Sequence, residues 1–445
     1  MEKSRNFTEG RILAPLLGFA LPVLFALFLQ TMYGAADLLI VGQYASTEDV
    51  SAVATGSQLM MTVTTVLVGL AMGITVLVGQ KIGEGKPEQA GRVIGSGIWL
   101  FGILALVMTA ALVALAGPIC RLLHAPENAF APTLDYVRIC SAGTIFIIAF
   151  NVLGSVFRGM GDSKMPLVTV AIACVVNIVG DLLLVAGFGM GAAGAAIATV
   201  AAQAVSVALS LMIIMRRKLP FTLGRRDICF DRRCVTGILR IGAPMALQDL
   251  LVSISFLVIM AIVNSLGLIQ SAGVGVAEKL CGFIMLLPSA YMQAMSAFVA
   301  QNIGAGKPER ANRALVYGIG TSLAASLFIA YFSFFHGDVL ASLFAREPEV
   351  IAAAADYLRA YAIDCLLTSF LFCFIGYFSG MGRTMFVMLQ GLAGAFMVRI
   401  PVSFFVSRMT GVSLFAIGLA TPCSTLVQIV LCGAYMLMLR RRARS

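Results

Sequence analysis

Twelve apolar stretches, each long enough to cross a lipid bilayer as a helix, run through this chain of 445 residues. A transmembrane helix needs about 20 mostly apolar residues, because it rises only about 1.5 Å per residue through the hydrocarbon. The first stretch is too long for the apolar part of a signal peptide, so it is expected to remain in the mature protein. The predicted fold class is an all-α integral membrane protein with twelve transmembrane helices. The stretches cover residues 13–41, 52–78, 93–117, 134–157, 165–187, 194–215, 241–266, 272–299, 314–335, 355–378, 384–408 and 412–439.

The composition agrees with this class and excludes several others. Hydrophobic residues make up 60% of the chain and charged residues only 12%, whereas about 25% of a typical soluble domain is charged. A chain this apolar is not disordered, and a soluble fold has too little interior for it. The ten cysteines occur without a C-x-x-C motif, and there are only two histidines. These counts favour neither a disulfide scaffold nor a histidine metal site.

The basic residues predict which helix ends face the cytoplasm. With the N-terminus inside, the inner segments contain 24 of the 31 lysines and arginines, and the outer segments contain five. Cytoplasmic loops of membrane proteins are enriched in lysine and arginine. We therefore predict a multi-pass protein of the cytoplasmic membrane with both termini in the cytoplasm. The same bias explains the net charge of +10 without a nucleic-acid partner.

The two halves of the chain resemble each other at an offset of 221–222 residues. Residues 79–92 read GQKIGEGKPEQAGR and residues 300–313 read AQNIGAGKPERANR, and both are predicted to be cytoplasmic helix-turn-helix connectors. So many short matches in one register indicate an internal duplication. Further pairs are DYVR at 135–138 with DYLR at 356–359, Gly159-Met160-Gly161 with Gly380-Met381-Gly382, and Pro22 with Pro244.

Six predicted spans in each half give both copies the same orientation in the membrane. The predicted organisation is an N-lobe of six helices (1–215), a cytoplasmic linker (216–240) and a C-lobe of six helices (241–445). The two six-helix bundles are expected to be related by a pseudo-twofold axis, with a cavity between them and alternating access by rocking. The alternative, a duplication that serves stability alone, does not explain the charged residues within the helices.

Charged residues at mid-membrane depth cost several kcal/mol, so they are functional candidates. In the first predicted helix, Gln30, Tyr33 and Asp37 are spaced i, i+3, i+7 and line one face. Pro22 lies earlier in the same helix and is expected to kink it. The first helix therefore carries both a polar face and a predicted bend.

Two further helices of the N-lobe carry polar residues at matching spacing. In the fifth helix Asn177 lies one turn before Asp181, and in the sixth helix Thr199 lies one turn before Gln203. Residues four apart share a helix face. Each pair can therefore point towards a common partner.

The carboxylates of Asp37 and Asp181, with the neighbouring amide, phenol and hydroxyl groups, could form one buried site. Its oxygen atoms suit either a proton held between hydrogen-bonded groups or a dehydrated Na⁺ ion. The alternative is that the two aspartates are separate and cap local helix breaks near Gly34 and Gly180.

The C-lobe lacks these groups, so the two lobes are expected to differ in function. Arg399 is an intramembrane cation followed closely by Pro401. It is expected to pair with Asp364 or Glu278 and lock the C-lobe, or alternatively to face the cavity. The repeat aligns Asp37, Asn177, Asp181 and Thr199 with Ile259, Arg399, Ser403 and Thr421. Other polar residues of the C-lobe helices are Gln248, Asp249, Glu278 and Lys279, and the last two are placed near a helix start.

The substrate side is predicted from the adaptable apolar residues, since the chain contains 23 Met and 29 Phe. Met and aromatic surfaces fit varied apolar ligands. The alternative is that these side chains face lipid or fill helix packing. The residues predicted to line a substrate cavity are Met32, Met61, Phe256, Met285, Met292 and Arg399.

Motifs of enzymes and nucleotide-driven pumps are missing from the sequence. The glycine-containing connectors lack the G-x-x-x-x-G-K-[ST] pattern of a phosphate-binding loop. There is also no nucleophile elbow and no H-E-x-x-H motif. The chain is therefore predicted to be no enzyme and to need no cofactor.

Together these motifs resemble the multidrug and toxic compound extrusion (MATE) transporters over almost the whole chain, and most closely the DinF-type branch. The resemblance implies that Asp37, Asn177, Asp181 and Thr199 bind the coupling cation, H⁺ or Na⁺, supported by Tyr33, Gln30 and Gln203. It also implies a hinge at Pro22 that couples ion binding to substrate release. The matching features are the six-plus-six repeat, Pro22, Asp37, GQKIGEGK with QNIGAGK, FRGMGDSKMP at 157–166, and Asn177 and Asp181 followed by Thr199.

One feature of the resemblance is not matched. Another branch of the family carries working carboxylates in helices seven and ten, where this chain has Asp249 and Asp364 off that pattern. No cation site is therefore expected in the C-lobe.

The function expected from residues and resemblance is secondary active antiport. Small amphipathic, often cationic, organic compounds would leave the cell in exchange for H⁺ or Na⁺. The protein is expected to be a monomer that contacts membrane lipid and needs no obligate protein partner. The main alternative is a flippase for lipid-linked precursors; a membrane enzyme and a channel are weaker alternatives.

Overall fold

The computed structural model describes residues 7–216, 227–409 and 411–442. Within these ranges every regular element is a helix, and no strand occurs. Eleven spans are long and apolar enough to cross a membrane, and a bent helix pair raises the number to twelve. The prediction of an all-α membrane protein is therefore confirmed, and the span count agrees with it.

Over residues 7–216 the chain forms seven α-helices, and a π-helical segment (Leu182–Gly187) directly follows the sixth. The predicted spans of this half coincide with these helices to within a few residues at most ends. The helices are α1 (Leu13–Tyr44), α2 (Thr47–Gly83), α3 (Pro87–Leu122), α4 (Phe130–Ala142), α5 (Thr144–Gly159), α6 (Lys164–Asp181) and α7 (Gly191–Arg216).

Residues 227–409 and 411–442 form ten α-helices, and a π-helical segment (Ala393–Arg399) interrupts one span. The seventh predicted span was expected from residue 241, but its helix begins at Arg232. The helices are α8 (Arg232–Asn264), α9 (Leu268–Ile284), α10 (Leu286–Gly304), α11 (Pro308–Phe335), α12 (Gly337–Ser342), α13 (Pro348–Gly380), α14 (Thr384–Leu392), α15 (Ile400–Ser407), α16 (Leu414–Gly418) and α17 (Ala420–Arg442).

One span is bent at Gly143, where the helical segments Glu127–Ala142 and Thr144–Gly159 meet at an angle of 49°. A Cβ atom at Gly143 would lie only 2.4 Å from Cγ2 of Val200 on α7. Such a contact is closer than any real Cβ atom tolerates. Glycine at the bend therefore allows α7 to pack directly against it.

The repeated G-K-P motifs form helix-turn-helix connectors, as predicted. Residues 84–86 join α2 to α3, and residues 305–307 join α10 to α11. Each turn uses a glycine at positive φ, Gly85 at 70° and Gly306 at 67°. A proline then begins the next helix, where its missing N–H group costs no hydrogen bond.

The chain divides into two compact units. Among the described residues, the first unit contains 21–246 and 304–306, and the second contains 7–20, 247–303 and 307–442. Consequently α1 begins in the second unit and continues in the first, while α8 begins in the first and continues in the second. Of the predicted linker, residues 217–226 lie outside the described residues, and residues 232–240 belong to α8.

In the first unit, the beginning of α8 packs tightly on α2 and α3. A Cβ atom at Gly73 would lie 2.3 Å from the carbonyl oxygen of Ile238, so the two backbones touch. The Ser96 hydroxyl donates to the carbonyl of Cys229 at 3.2 Å. The rings of Trp99 and Phe230 lie 5.0 Å apart. Residues just before and within α8 therefore complete the core of the first unit.

In the second unit, the segment before α1 is held against α10 and α11. Phe7 is fully buried, with its ring 5.0 Å from that of Phe298. Arg310 donates hydrogen bonds to the carbonyls of Phe7 at 2.8 Å and Gly10 at 2.7 Å. Asn302 donates to the Phe7 carbonyl at 3.2 Å. Two residues of the second copy of the connector motif therefore anchor the N-terminal segment.

Candidate functional site

Three helices of the first unit bring the predicted polar residues together. Asp37 lies on α1, Asn177 and Asp181 lie on the last turns of α6, and Thr199 lies on α7. Asp37 is 5% exposed, and Asn177 and Asp181 are fully buried. Side chains from three separate helices thus meet inside the unit.

A directed chain of hydrogen bonds links these helices. The amide of Asn177 donates to the Thr199 hydroxyl at 3.4 Å. The Thr199 hydroxyl in turn donates to Oδ2 of Asp37 at 3.1 Å. Because a hydroxyl has one hydrogen, this bond uses the only donor of Thr199. The three side chains therefore orient the Asp37 carboxyl group.

The supporting polar residues form a second, adjoining pair. The Gln203 amide on α7 donates to the Tyr33 hydroxyl on α1 at 3.4 Å. Tyr33 lies one turn before Asp37 and Gln203 one turn after Thr199, so the pair extends the same interface. Gln30 lies further along α1, is half-buried, and stands outside this set of hydrogen bonds.

The site contains more acceptor oxygens than hydrogen-bond donors. Among the described residues, five buried oxygens have no partner: Oδ1 of Asp37, Oδ1 of Asn177, both carboxylate oxygens of Asp181, and Oε1 of Gln203. The carboxyl groups of Asp37 and Asp181 lie within hydrogen-bonding range of each other, so that one proton can be shared between them. Buried polar groups normally find partners, so this excess of oxygens is unusual. Oxygen atoms converging in this way suit a hard cation or a shared proton.

The helix-capping alternative does not fit this geometry. Helix α1 passes through Gly34 without a break. At Gly180, a Cβ atom would lie 2.9 Å from Cβ of Ala198, so α6 and α7 are in close contact there. The glycine therefore serves helix packing beside the site. The Asp181 carboxyl group interacts with that of Asp37, and no backbone N–H of a described residue donates to it, so it does not cap a helix end.

The π-helical segment Leu182–Gly187 begins directly after Asp181. Wider π turns inside a helix often occur at functional sites. The chain then turns back through Gly189 at a φ of 66° into α7. The backbone N–H of Ala192 at the start of α7 donates to Asp49 at 2.9 Å. The start of α7 is thereby tied to the beginning of α2.

Sequence reasoning missed one side chain near Asp37. Tyr136 of α4 is buried, and the charge of Asp37 reaches it electrostatically. The available signal was the repeated DYVR motif at 135–138, whose tyrosine is this residue. Its inward orientation depends on the packing of α4, which the motif alone does not reveal.

The predicted cavity residues are spread over both units. Met32 is 38% exposed and Met61 is 66% exposed, while Met285 and Met292 are half-buried. The remaining two are packed together, since the guanidinium carbon of Arg399 lies 4.4 Å from the centre of the Phe256 ring. Of this set, Phe256 and Arg399 are in direct contact, and Phe256 and Met285 pack against the same core of the second unit.

Glu278 and Lys279 were expected near a helix start, and this is wrong. Both lie in the second half of α9 (Leu268–Ile284). Lys279 is exposed and Glu278 is partly buried. The predicted span 272–299 placed the beginning of the helix at residue 272. In the structure α9 begins earlier, at Leu268, and it ends at Ile284, within the predicted span.

Comparison with known proteins identifies the family. The sequence profile of the MatE family matches the chain twice, at residues 22–183 and 244–405. The chain belongs to the MatE family. The two matches lie 222 residues apart, which confirms the predicted duplication. A MatE protein is a membrane transporter and not an enzyme, and the family resemblance drawn from the motifs is therefore confirmed.

Curated relatives of this MatE chain have similar length. It is 28% identical to "Probable multidrug resistance protein YpnP" of Bacillus subtilis (strain 168) over 410 residues, 92% of each chain. It is 26% identical over 429 residues to a protein named "FAD transporter" of Shewanella oneidensis, covering 95% of this chain and 93% of the relative.

Solved structures show the same fold. A MOP superfamily transporter from Pyrococcus furiosus Vc1 matches with a TM-score of 0.94 at 20% identity, covering 100% of this chain and 99% of that one. A multidrug resistance MATE family transporter of the same superfamily, in an outward-facing conformation, matches with a TM-score of 0.92 at 20% identity over 99% of both chains. At this identity the likeness supports the MatE fold.

Proposed function

We propose that this protein is a secondary active antiporter that exports amphipathic, often cationic, organic compounds in exchange for H⁺ or Na⁺. The observation that carries the proposal is the group of five buried oxygens without donors around Asp37, Asn177 and Asp181. Unbalanced carboxylates inside a membrane protein favour uptake of a cation. Cation uptake that changes the packing of α1, α6 and α7 provides a means of coupling.

The ion gradient supplies enough free energy for export. One elementary charge crossing 100 mV releases about 2.3 kcal/mol. A tenfold ion gradient adds about 1.4 kcal/mol. Together these values sustain a substrate gradient of several hundredfold when an electroneutral compound is exchanged for one ion.

The proposal assigns roles to the residues around the oxygens. Asp37, Asn177, Asp181 and Thr199 bind the coupling ion, as in the DinF-type branch. Tyr33, Gln30 and Gln203 support them, and Pro22 serves as a hinge in α1. Alternating access then exposes the site to each side of the membrane in turn.

The proposal also includes the location and the substrate class. Both termini lie in the cytoplasm, because 24 of the 31 lysines and arginines fall in segments on that side. Export of organic compounds is supported by relatives whose names describe multidrug resistance. The protein acts as a monomer in the cytoplasmic membrane and needs no partner protein.

The flippase alternative is less well supported. A flippase for lipid-linked pyrophosphates needs several basic side chains facing its cavity. Arg399 is only 6% exposed, hydrogen-bonded to Ser255 and stacked on Phe256. An arginine held in this way is poorly placed to receive a large anionic headgroup.

The test uses ethidium in proteoliposomes containing wild type, Asp37→Asn or Asp135→Asn. Asp135 is an exposed aspartate of α4 and provides the matched control. A pH gradient alone and a Na⁺ gradient alone are imposed in separate experiments. We expect one gradient to drive ethidium movement in wild type and in Asp135→Asn, but not in Asp37→Asn. Undiminished gradient-driven movement by Asp37→Asn would overturn the assignment of the coupling site.

A further inference from the structure

The second unit contains its own buried charged cluster, built around Arg399. Nη1 of Arg399 donates to the Ser255 hydroxyl at 3.2 Å. Its guanidinium carbon lies 4.4 Å from the centre of the Phe256 ring, a distance typical of a cation–π contact. Both partners lie on α8. The arginine is only 6% exposed, and its Nε has no hydrogen-bond partner among the described residues, so the guanidinium group is held by Ser255 and Phe256.

A buried carboxylate lies within electrostatic range of this arginine. Asp364 of α13 is 2% exposed, and its Oδ1 accepts a hydrogen bond of 2.6 Å from Thr425 of α17. The charges of Arg399 and Asp364 act on each other. The charge of Arg399 also acts on Tyr357 and Tyr361 of α13. Arginine stays protonated at all relevant pH values, so its positive charge is permanent.

Four residues of this cluster occupy positions that the repeat aligns with polar residues at or beside the site of the first unit. At the offset of 222 residues, Arg399 aligns with Asn177, Ser255 with Tyr33, and Thr425 with Gln203. At the offset of 221 found for the D-Y-x-R motif, Tyr357 aligns with Tyr136. The repeat therefore places polar residues at these four positions in both units, whereas Asp364 aligns with Ala142 or Gly143 and has no polar counterpart in the first unit.

The charges of the two clusters differ in one respect. The first cluster contains the two carboxylates of Asp37 and Asp181 and no basic side chain among the described residues that hydrogen-bond within it. The second contains Asp364 together with the guanidinium group of Arg399. A buried carboxylate requires a compensating charge. Among the residues that the structure describes, the first cluster has no basic side chain bonded to it, whereas the second cluster contains a permanent positive charge.

We propose that Arg399 is the built-in cation of the second unit and prevents that unit from binding a coupling ion. Its guanidinium group balances Asp364 from the place where the repeat puts a ligand of the ion site in the first unit. The side chain is covalently attached, so it cannot exchange with the solution. Each chain then has one exchangeable cation site, in the first unit, and one permanently filled counterpart.

The surroundings of Arg399 determine what its removal should reveal. The titratable groups near the cluster are Asp364, Tyr357 and Tyr361, together with Glu278 and Cys281 of α9. Glu278 has a carboxylate oxygen without a hydrogen-bond partner among the described residues. Without the guanidinium group, Asp364 would be an uncompensated buried carboxylate. Such a group acquires either a metal cation or a proton.

The test measures thermal stability as a function of Na⁺ concentration and of pH. All variants carry Asp37→Asn, and any cation response that Asp181 retains in the first unit is common to all of them. Ionic strength is held constant with choline chloride. The variants are Asp37→Asn alone, and its combinations with Arg399→Gln, with Arg399→Lys, and with both Arg399→Gln and Asp364→Asn.

We expect no Asp364-dependent change of Tm with Na⁺ concentration or with pH in two proteins. These are the Asp37→Asn variant and the variant that combines Asp37→Asn with Arg399→Lys. Adding Arg399→Gln should create a response of at least about 2 °C to one of these cations. Adding Asp364→Asn as well should abolish it. A folded Arg399→Gln variant without any cation response would overturn the proposal. So would a cation response in Asp37→Asn alone that Asp364→Asn removes.

A second measurement covers an Arg399→Gln variant that does not fold. Asp364→Asn in the Asp37→Asn background leaves the positive charge of Arg399 without its carboxylate. This variant should become more stable when gluconate is replaced by chloride, by at least about 2 °C relative to its parent. An equal response in parent and variant would overturn the proposal. The comparison involves only the second unit, so its outcome is independent of whether Asp37 couples transport.

Discussion

The Thr199 hydroxyl donates a hydrogen bond to Oδ2 of Asp37 across 3.1 Å. The same hydroxyl accepts a hydrogen bond from the Asn177 amide at 3.4 Å. One small side chain on α7 therefore connects α1 with α6. A change at this hydroxyl should alter ion binding without changing the charge of the site.

Replacement of Thr199 by Val tests this connection. The loss of the hydroxyl leaves Asp37 Oδ2 without a donor and the Asn177 amide without an acceptor. Leaving buried groups unpaired costs about 1–3 kcal/mol, which corresponds to about a 5- to 150-fold weaker apparent affinity for the coupling ion. The measurement is the ion concentration that gives half-maximal ethidium transport in proteoliposomes.

The matched control is Thr199→Ser, which keeps the hydroxyl and removes only a methyl group. We expect this variant to transport with nearly wild-type ion dependence. Equal losses in the Val and Ser variants would show that packing of the methyl group, and not the hydroxyl, is what matters.

Gly180→Ala should separate α6 from α7 beside the site. The new Cβ atom would meet Cβ of Ala198 at 2.9 Å, and both atoms belong to rigid helices. Overpacking of this kind costs about 1–3 kcal/mol, so the thermal midpoint of the purified protein should fall. Gly102→Ala on α3 is the control, because nothing lies within 4 Å of its new Cβ atom. An unchanged midpoint for Gly180→Ala would contradict the close packing.

Arg310→Ala should release the segment before α1. The guanidinium group donates to the carbonyls of Phe7 and Gly10 and to two further carbonyls between and beyond them. We expect the segment to become sensitive to limited proteolysis and the protein to lose about 1–2 kcal/mol of stability. Arg313→Ala, at an exposed position three residues later, should leave proteolysis unchanged. Equal protection in both variants would show that Phe7 packing alone holds the segment.

Asp231 should give the start of α8 a pH-dependent stability. Hydrogen bonds from the backbone N–H groups of Arg233 and Cys234 lower the pKa of Asp231. A lowered folded-state pKa means that the stabilisation is present above the unfolded value of about 3.9 and is lost as pH falls below it. Wild type and Asp231→Ala should therefore differ in Tm at pH 7, by the effect of about 1 kcal/mol expected for a lost cap. The difference should shrink as the pH falls below about 3.9 and towards the lowered folded-state pKa of Asp231, and a constant difference would contradict the capping role.

Hydropathy and helical spacing were sufficient to predict most of the fold and to predict that the polar side chains of α1, α6 and α7 lie together. The i, i+4 spacing of Asn177 with Asp181 placed both side chains on one face, and the structure directs that face towards α1 and α7. The start of α8 was missed because its first residues, RRCVTGILR, are too polar to register as a span. Asp231, a capping residue just before the helix, was the signal that could have located it.

Other features depend on tertiary packing and could not be derived from the sequence. The π-helical segments after Asp181 and before Ile400 have no periodicity signal, because they shift the register by only one residue. The burial of Tyr136 against Gly56 of α2 depends on how α4 packs on its neighbours. The partners of Arg399 were left open in the sequence, and α8 supplies two of them.

Helix α1 begins in the second unit and α8 begins in the first, and this arrangement affects the order in which the units can fold during translation. Phe7 leaves the ribosome among the first residues, but its partners Asn302 and Arg310 follow only after about 300 more residues have been translated. Likewise, the backbone contact between Gly73 and Ile238 can form only after Ile238, in the second half of the chain, has been translated. Neither half of the duplicated chain contains every residue that its compact unit requires. Separate expression of the two halves should therefore give incomplete units, and the ancestral duplication is now locked into a single polypeptide.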